Sequence, residues 1–199
     1  MDNVLRKHQD SFFWIFTNGT LFGNIFGLKI QNLKNVFFFF SLEGSESETD
    51  FRRGKGVYEK ILKSMERARS LEIPFGFSCT VADYNVRSID KDDFIDEMID
   101  NGCKGGIYID YKDYFEGKEG IRECLLEEKT EFEKNILAKN FEKDIWFLYI
   151  DSIERELGGC QGGKRFIHLD PQLGIANCPL QTDIKGFFAK NRFSRLFSE

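Results

Sequence analysis

The chain has 199 residues, 41% of them hydrophobic and 31% charged, which suits one globular domain with a sizeable core. A net charge of −5 argues against the basic stripe of a nucleic-acid-binding domain, and no apolar run reaches the length of a membrane span. Arg6-Lys7 is not followed by a long apolar run, and residues 12–16 are too short for a signal-peptide core, so a cytoplasmic protein is expected.

Residues 12–17 read as a buried strand, ended by the turn signal Asn18-Gly19. A weak helix over 20–33 is diluted by Gly23 and Gly27. A second strand covers 36–42 and stops abruptly at Ser41-Leu42-Glu43-Gly44. Every residue from Ser45 to Asp50 is then Ser, Glu, Thr or Asp, which reads as a solvated loop at the strand's carboxyl end. The clearest helix spans 56–71, with Val57, Ile61, Met65 and Ala68 on one face and Lys and Arg opposite. Pro74 opens a strand over 75–81. Asp90 can cap the next helix, whose stripe is Phe94, Ile95, Met98 and Ile99, and Gly102 ends it. A strand over 107–111, a polar loop over 113–120, a charged helix over 121–140 and a strand over 145–150 follow.

Strands alternating with helices imply an α/β fold: a parallel sheet with helices outside it and ligands at the carboxyl ends of the strands. The tail is different. Gly158 to Gly163 is glycine-rich around Cys160, residues 165–170 alternate, Pro171-Gln172-Leu173-Gly174 is a turn, and 175–178 runs back. This predicts a hairpin that brings Cys160 and Cys178 to neighbouring ends. The cysteines are Cys79, Cys103, Cys124, Cys160 and Cys178, an odd number with no C-x-x-C among them. Free thiols or metal ligands fit better than disulfides.

Four stretches together resemble radical S-adenosylmethionine enzymes, in the branch with a SPASM-like or twitch-like C-terminal extension. They are IFTNGTL (15–21), SLEGSESETDFRRGKGVYEKIL (41–62), IPFGFSCTVADYNV (73–86) and GGCQGGKRFIHLDPQLGIANCP (158–179). The most specific part is S-L-[DE]-G followed by D-x-x-R-G-x-G-[VF], here Asp50 to Val57. The resemblance implies an incomplete (β/α)6 partial TIM barrel over residues 1–150 and a hairpin extension over 151–199. The cofactors it implies are S-adenosylmethionine and a [4Fe-4S] cluster.

In relatives, the serine at the matching strand end and the motif arginine help to hold the ribose and the methionyl carboxylate. The matching residues are Ser41 and Arg53, with Arg52 adjacent and Glu43 standing where the family has Asp. A hydroxyl suits a ribose oxygen and a guanidinium fork suits a carboxylate. Alternatively, Ser41 only ends a strand and Arg53 pairs with Asp50 or Glu48. Thr80 and Asn85 match a segment whose end faces the same cavity. Tyr108 and Asp110 match the following strand and either face the substrate or are a barrel-filling tyrosine and a solvated aspartate. Cys160 and Cys178 resemble the first cysteine pair of the auxiliary-cluster extension; the alternative is two free thiols. His168 on the hairpin is expected to be packed or solvent-facing.

The family's C-x-x-x-C-x-x-C occurs nowhere in the chain. Only about a dozen residues precede the first strand, so the first two strand–helix units of the barrel are expected to be missing with the ligands of the redox cluster. Three readings follow. The first is part of a radical S-adenosylmethionine protein, acting on an unknown and possibly peptidic substrate, inactive unless a partner chain carries the missing half. The second is a non-catalytic binding module or partner subunit using the half-barrel cleft. The third is an iron–sulfur or thiol carrier through Cys160 and Cys178.

Overall fold

A short helix, α1 (Asp2–Lys7), precedes β1 (Phe13–Thr17). β2 (Val36–Ser41) leads through α2 (Glu46–Arg53) and α3 (Val57–Ser70) to β3 (Phe75–Val81). α4 (Asp92–Asp100), β4 (Gly105–Asp110), α5 (Leu126–Glu142), β5 (Trp146–Tyr149) and α6 (Ile150–Glu156) follow. Three short strands follow among the described residues: β6 (His168–Leu169), β7 (Gly174–Ala176) and β8 (Gly186–Phe187). The structure, a computed structural model, describes residues 2–22, 30–113, 120–179 and 184–187. It divides into two units, residues 1–151 and 152–199, with the boundary inside α6.

The first unit is an open sheet of five parallel strands in the order β1-β2-β3-β4-β5. Its centre is apolar on both faces, as parallel strands require; β2 reads VFFFFS. Strand alternation sends Phe38, Phe40, Phe75, Phe77, Tyr108 and Phe147 to one face. Helices cover that face with Ile61, Met65 and Ala68 from α3, Ile95 and Met98 from α4, and Phe132 and Ile136 from α5. Burying each large side chain contributes roughly 1.5–3 kcal/mol. Asn35 ties the amino-terminal segment to the start of β2, its Nδ2 donating to the carbonyls of Leu5 (3.0 Å), His8 (3.1 Å) and Ser11 (3.2 Å).

The other face is lined by an aromatic cluster. Trp14, Phe16, Phe37, Phe39 and Trp146 form a continuous set of ring contacts at 4.9–6.3 Å. Trp14 lies on β1 and Trp146 on β5, the two edges of the sheet, yet their rings stack at 6.3 Å and 25°. Five flat strands would hold those edges about 19 Å apart with side chains pointing in parallel. The stack therefore shows that the sheet is strongly curled, with these rings on its concave side. Two glycines make room: a Cβ on Gly105 would lie 2.2 Å from the Trp146 indole, and one on Gly76 only 2.0 Å from the Gly105 carbonyl oxygen.

Several expectations need correction. Residues 12–17 are not a buried strand: β1 is an edge strand, and Trp14 and Phe16 are 47% and 49% exposed. The polar run 45–50 is no loop; it belongs to α2 and its cap. Lys91, not Asp90, occupies the N-cap position of α4, and Asp90 is buried with its Oδ2 accepting from Asn135 at 2.6 Å. The charged helix begins at Leu126, and the last apolar run turns into α6 at Ile150. Parts of two expected segments, residues 23–29 of the weak helix and 114–119 of the polar loop, lie outside the described residues.

Because the nearest atom to a Gly76 Cβ is backbone, no side-chain rotation can relieve the clash. Gly76→Ala is expected to destabilise the chain by about 3 kcal/mol, seen as a lower urea midpoint with unchanged slope.

Candidate functional site

At the carboxyl end of β2 the chain buries a charge. Glu43 is fully buried, and its Oε1 accepts from Arg52 Nη1 at 2.6 Å and from Arg53 Nε at 2.8 Å, with Arg53 Nη2 also on that oxygen. Its Oε2 accepts the Thr80 N–H at 3.2 Å. The Glu43 backbone is held as firmly. Its N–H donates to Thr49 Oγ1 at 3.0 Å and its carbonyl accepts from Asn85 Nδ2 at 2.9 Å. An isolated carboxylate here would be prohibitive; two guanidiniums and an amide make it tolerable.

The arginines arrive because α2 is fixed at both ends. Ser45 and Glu48 form a capping box, with Glu48 Oε2 accepting the Ser45 N–H at 2.7 Å. At the other end, Asp50 accepts the N–H groups of Gly56 (2.5 Å) and Tyr58 (2.9 Å) and so caps α3 from inside α2. Those bonds, Tyr58 first and then Gly56, hold the Asp50 carboxyl below its usual range. Gly54 (φ 107°) and Gly56 (φ 77°) take left-handed conformations between the helices. This accounts physically for D-x-x-R-G-x-G: a cap, an arginine facing back to β2, and two residues that must turn left.

Around this cluster lie neutral hydroxyls. Ser78 Oγ donates to Ser41 Oγ at 3.0 Å on neighbouring strands β3 and β2, and Thr80 follows on β3. Asn85 is a backbone clamp. Its amide donates to the Glu43 and Thr80 carbonyls, each at 2.9 Å, and its Oδ1 accepts the Ala82 N–H at 2.9 Å. Cys79 is buried beside it, and burial, followed by the Glu43 charge, pushes its thiol well up.

A second charged cluster sits at the ends of β4 and β5. Asp110 is buried, accepting from Tyr149 Oη and pairing with Lys129 at 2.6 Å and Lys112 at 3.4 Å. Asp151 accepts the Asp110 N–H at 2.7 Å. Cys124 lies nearby, its thiol pushed up to about 12 by burial first and then by Glu128 and Asp110. Lys129 thus anchors α5 over the end of β4. Tyr108 turns away from the concave face; it is buried among the helices with Oη on the Ile89 carbonyl at 2.9 Å. Tyr108 therefore fills the core, and Asp110 is neither solvated nor free of partners.

In the second unit, β6 and β7 form the antiparallel hairpin, with His168 opposite Ala176, and β8 adds a third strand. Cys160 is exposed, with Sγ accepting the Gly162 N–H at 3.4 Å, and Cys178 is half-buried. Among the described residues no group of three or more His, Cys, Asp or Glu is arranged to hold a metal ion.

The structure brings Ser41, Glu43, Arg52, Arg53, Thr80 and Asn85 to one strand end. The sequence alternative for Arg53 fails in detail: Asp50 caps α3 and Glu48 closes the capping box, and the partner is Glu43, ten residues back. Sequence spacing does not mark Thr49 or Ser78 as members of this cluster. Thr49 alone had a signal, as the one β-branched residue inside the polar run.

No family model matches the sequence, and no curated protein matches it. Solved structures match by fold. Streptococcus suis SuiB bound to S-adenosylmethionine aligns with TM-score 0.72 at 13% identity, over 89% of this chain and 45% of that one. anSMEcpe with bound AdoMet and the Cp18Cys peptide aligns with TM-score 0.71 at 16% identity, over 94% and 57%. The chain spans about half the length of these structures. The fold is the radical S-adenosylmethionine type of partial barrel, with its sheet open and a hairpin extension.

Two outcomes are expected here. Glu43→Gln removes the charge that both arginines share and should cost about 3 kcal/mol in urea unfolding. That is the low end for a broken buried pair, because the guanidiniums are about a quarter exposed and rehydrate. For Asp50 the folded pKa is lowered, so its stabilisation is complete above about pH 4 and disappears as pH falls through the folded value. Asp50→Asn should therefore melt below wild type at pH 7, with the gap closing as pH falls below about 4 in a pH series of thermal melts.

Proposed function

We propose that the first unit is the S-adenosylmethionine-binding part of a radical S-adenosylmethionine protein, and that it is completed by a chain or segment carrying C-x-x-x-C-x-x-C. The observation that carries this reading is the Glu43–Arg52–Arg53 cluster beside Ser41, at the carboxyl end of β2 in this fold. Two guanidiniums converge on one carboxylate here, and guanidinium forks suit an anionic group. In this reading Arg53 takes the methionyl carboxylate, with Arg52 beside it. Ser41 takes a ribose hydroxyl. Thr80 and Asn85 hold the strand end on which the ligand rests. When bound, the ligand supplies a sulfonium whose reductive cleavage yields a carbon radical. The chain's own task is to bind and orient it.

The residues present do not fit the [4Fe-4S] cluster. Three cysteine ligands of the redox motif are not in the sequence, and Cys160 and Cys178 are two of the four thiolates a cluster takes. Cys160 and Cys178 stand as partial ligands of an auxiliary cluster, with the other ligands coming from outside the described residues, or as two thiols.

A second reading, a partner subunit without catalysis of its own, is favoured by the concave face. Trp14 and Phe16 are about half exposed there, and β1 and β5 are open edges. Such a surface wants a partner. No described helix is long and apolar enough to cross a membrane.

The test is anaerobic iron and sulfide analysis with an assay of 5′-deoxyadenosine release. It would be run on the chain alone and on the chain co-purified with a protein carrying the three-cysteine motif. Iron and cleavage only in the pair are expected, with cleavage lost and iron retained in Arg53→Met. A complex that forms and binds iron yet neither binds nor cleaves S-adenosylmethionine would overturn the enzyme reading and leave the partner subunit.

A further inference from the structure

Beside α5 a groove follows the loop that leads into α4. Two hollows make it up. The first, about 400 Å³, is bounded by Val86, Arg87 and Asp90 on the loop and by Glu128, Glu131 and Phe132 on α5. The second, about 220 Å³, shares Asp90 and Lys91 with the first and continues to Asn135, Lys139 and Glu142. The first hollow is of the size that takes a small ligand. None of these residues belongs to the Glu43 cluster.

Asp90 sets this groove apart from an ordinary charged surface. Its side chain is only 4% exposed. Its Oδ2 accepts from Asn135 Nδ2 at 2.6 Å, whereas its Oδ1 has no hydrogen-bond partner. Lys91 Nζ stands 3.6 Å from Oδ1, beyond a hydrogen bond, on a side chain that is 60% exposed. A buried carboxylate oxygen without a donor is costly, and one kept at the wall of a hollow calls for a donor from outside. The Asn135 bond also fixes the level of Asp90 along α5. Glu131 and Glu142 lie four residues before and seven after Asn135 on the same helix face, roughly 6 and 10 Å away along the axis. Other charges lining the groove are paired, Arg87 with Glu128 at 2.9 Å and Lys139 with Asp92 at 2.7 Å. Glu131, Asp90 and Glu142 therefore form a row of carboxylates with Lys91 loosely held among them. Among the described residues no three such groups converge to hold a metal ion. The row suits a cation whose charges are spread along a chain.

We propose that this groove is a binding site for a linear aliphatic polyamine. One ammonium group, a compact charge with three donors, takes Asp90 Oδ1 in place of Lys91. The flanking ammonium groups pair with Glu131 and Glu142, and the methylenes between them lie along Val86 and Phe132. The proposal stands apart from the S-adenosylmethionine reading, with which it shares no residue.

The test titrates spermidine into the full 199-residue chain by isothermal titration calorimetry at low ionic strength. One spermidine per chain is expected. Asp90→Asn should weaken binding about tenfold. Glu131→Gln with Glu142→Gln should weaken it about threefold, and both positions are exposed, so the fold is spared. Lys91→Gln should tighten binding about threefold by removing the competitor, a gain that no folding defect imitates. Glu66→Gln with Glu72→Gln takes the same charge from exposed positions elsewhere and should change nothing. Absence of saturable binding by wild type, unchanged binding by Asp90→Asn, or an equal loss in the two double variants would overturn the proposal. A lysine-rich peptide that binds where spermidine does not would also overturn it, in favour of a polypeptide partner.

Discussion

A buried carboxylate organises the carboxyl end of this molecule's sheet. Glu43 has no access to water, so its charge must be answered from within the fold. The answer comes from α2, which delivers two guanidiniums to one oxygen, and from β3, which delivers a backbone N–H to the other. Three elements are thereby locked around a single side chain. Buried ion pairs seldom add much net stability over a well-packed apolar alternative. Their effect here is geometric: Arg52 and Arg53 have one place to be. The tight turn from α2 into α3, with its two left-handed glycines and the Asp50 cap, exists in the service of that placement.

The two ends of the curled sheet carry opposite chemistry. Near the amino ends of the strands, Trp14, Phe37 and Trp146 close the concave face with packed rings; Gly105 gives up its side chain to admit Trp146, and Gly76 to admit the Gly105 carbonyl. Near the carboxyl ends the inward residues become Ser41, Ser78 and Thr80. An apolar floor thus lies below hydroxyls and guanidiniums. The Asp110–Lys129 pair does for α5 what Glu43 does for α2, fastening a helix over a strand end through a buried charge.

Much of this architecture was legible in the residues. Pro74 marked the start of β3, and the period of Val57, Ile61, Met65 and Ala68 marked α3, because burial of one face writes itself into spacing. Where a helix buries almost nothing, that signal disappears. α2 has only Thr49 buried, so its polar run looked like a loop; the Ser45-x-x-Glu48 capping box was the clue that remained. α6 was hidden because Ile150 continues the apolar run of β5. The site was half legible. The strand-end residues followed from a motif, but the partner of Arg53 depends on a turn of α2 that spacing cannot reveal.

The stack of Trp14 on Trp146 has a consequence for how this chain can be observed. They are its only two tryptophans, and they sit on the first and last strands of the sheet. Their mutual orientation is set by the curvature between those strands, not by any local turn. Near-ultraviolet circular dichroism and indole emission therefore gauge how far the arc is closed. A partner strand added at either edge, or a flattening of the sheet, would change that optical signature while leaving the helical signal in the far ultraviolet almost untouched.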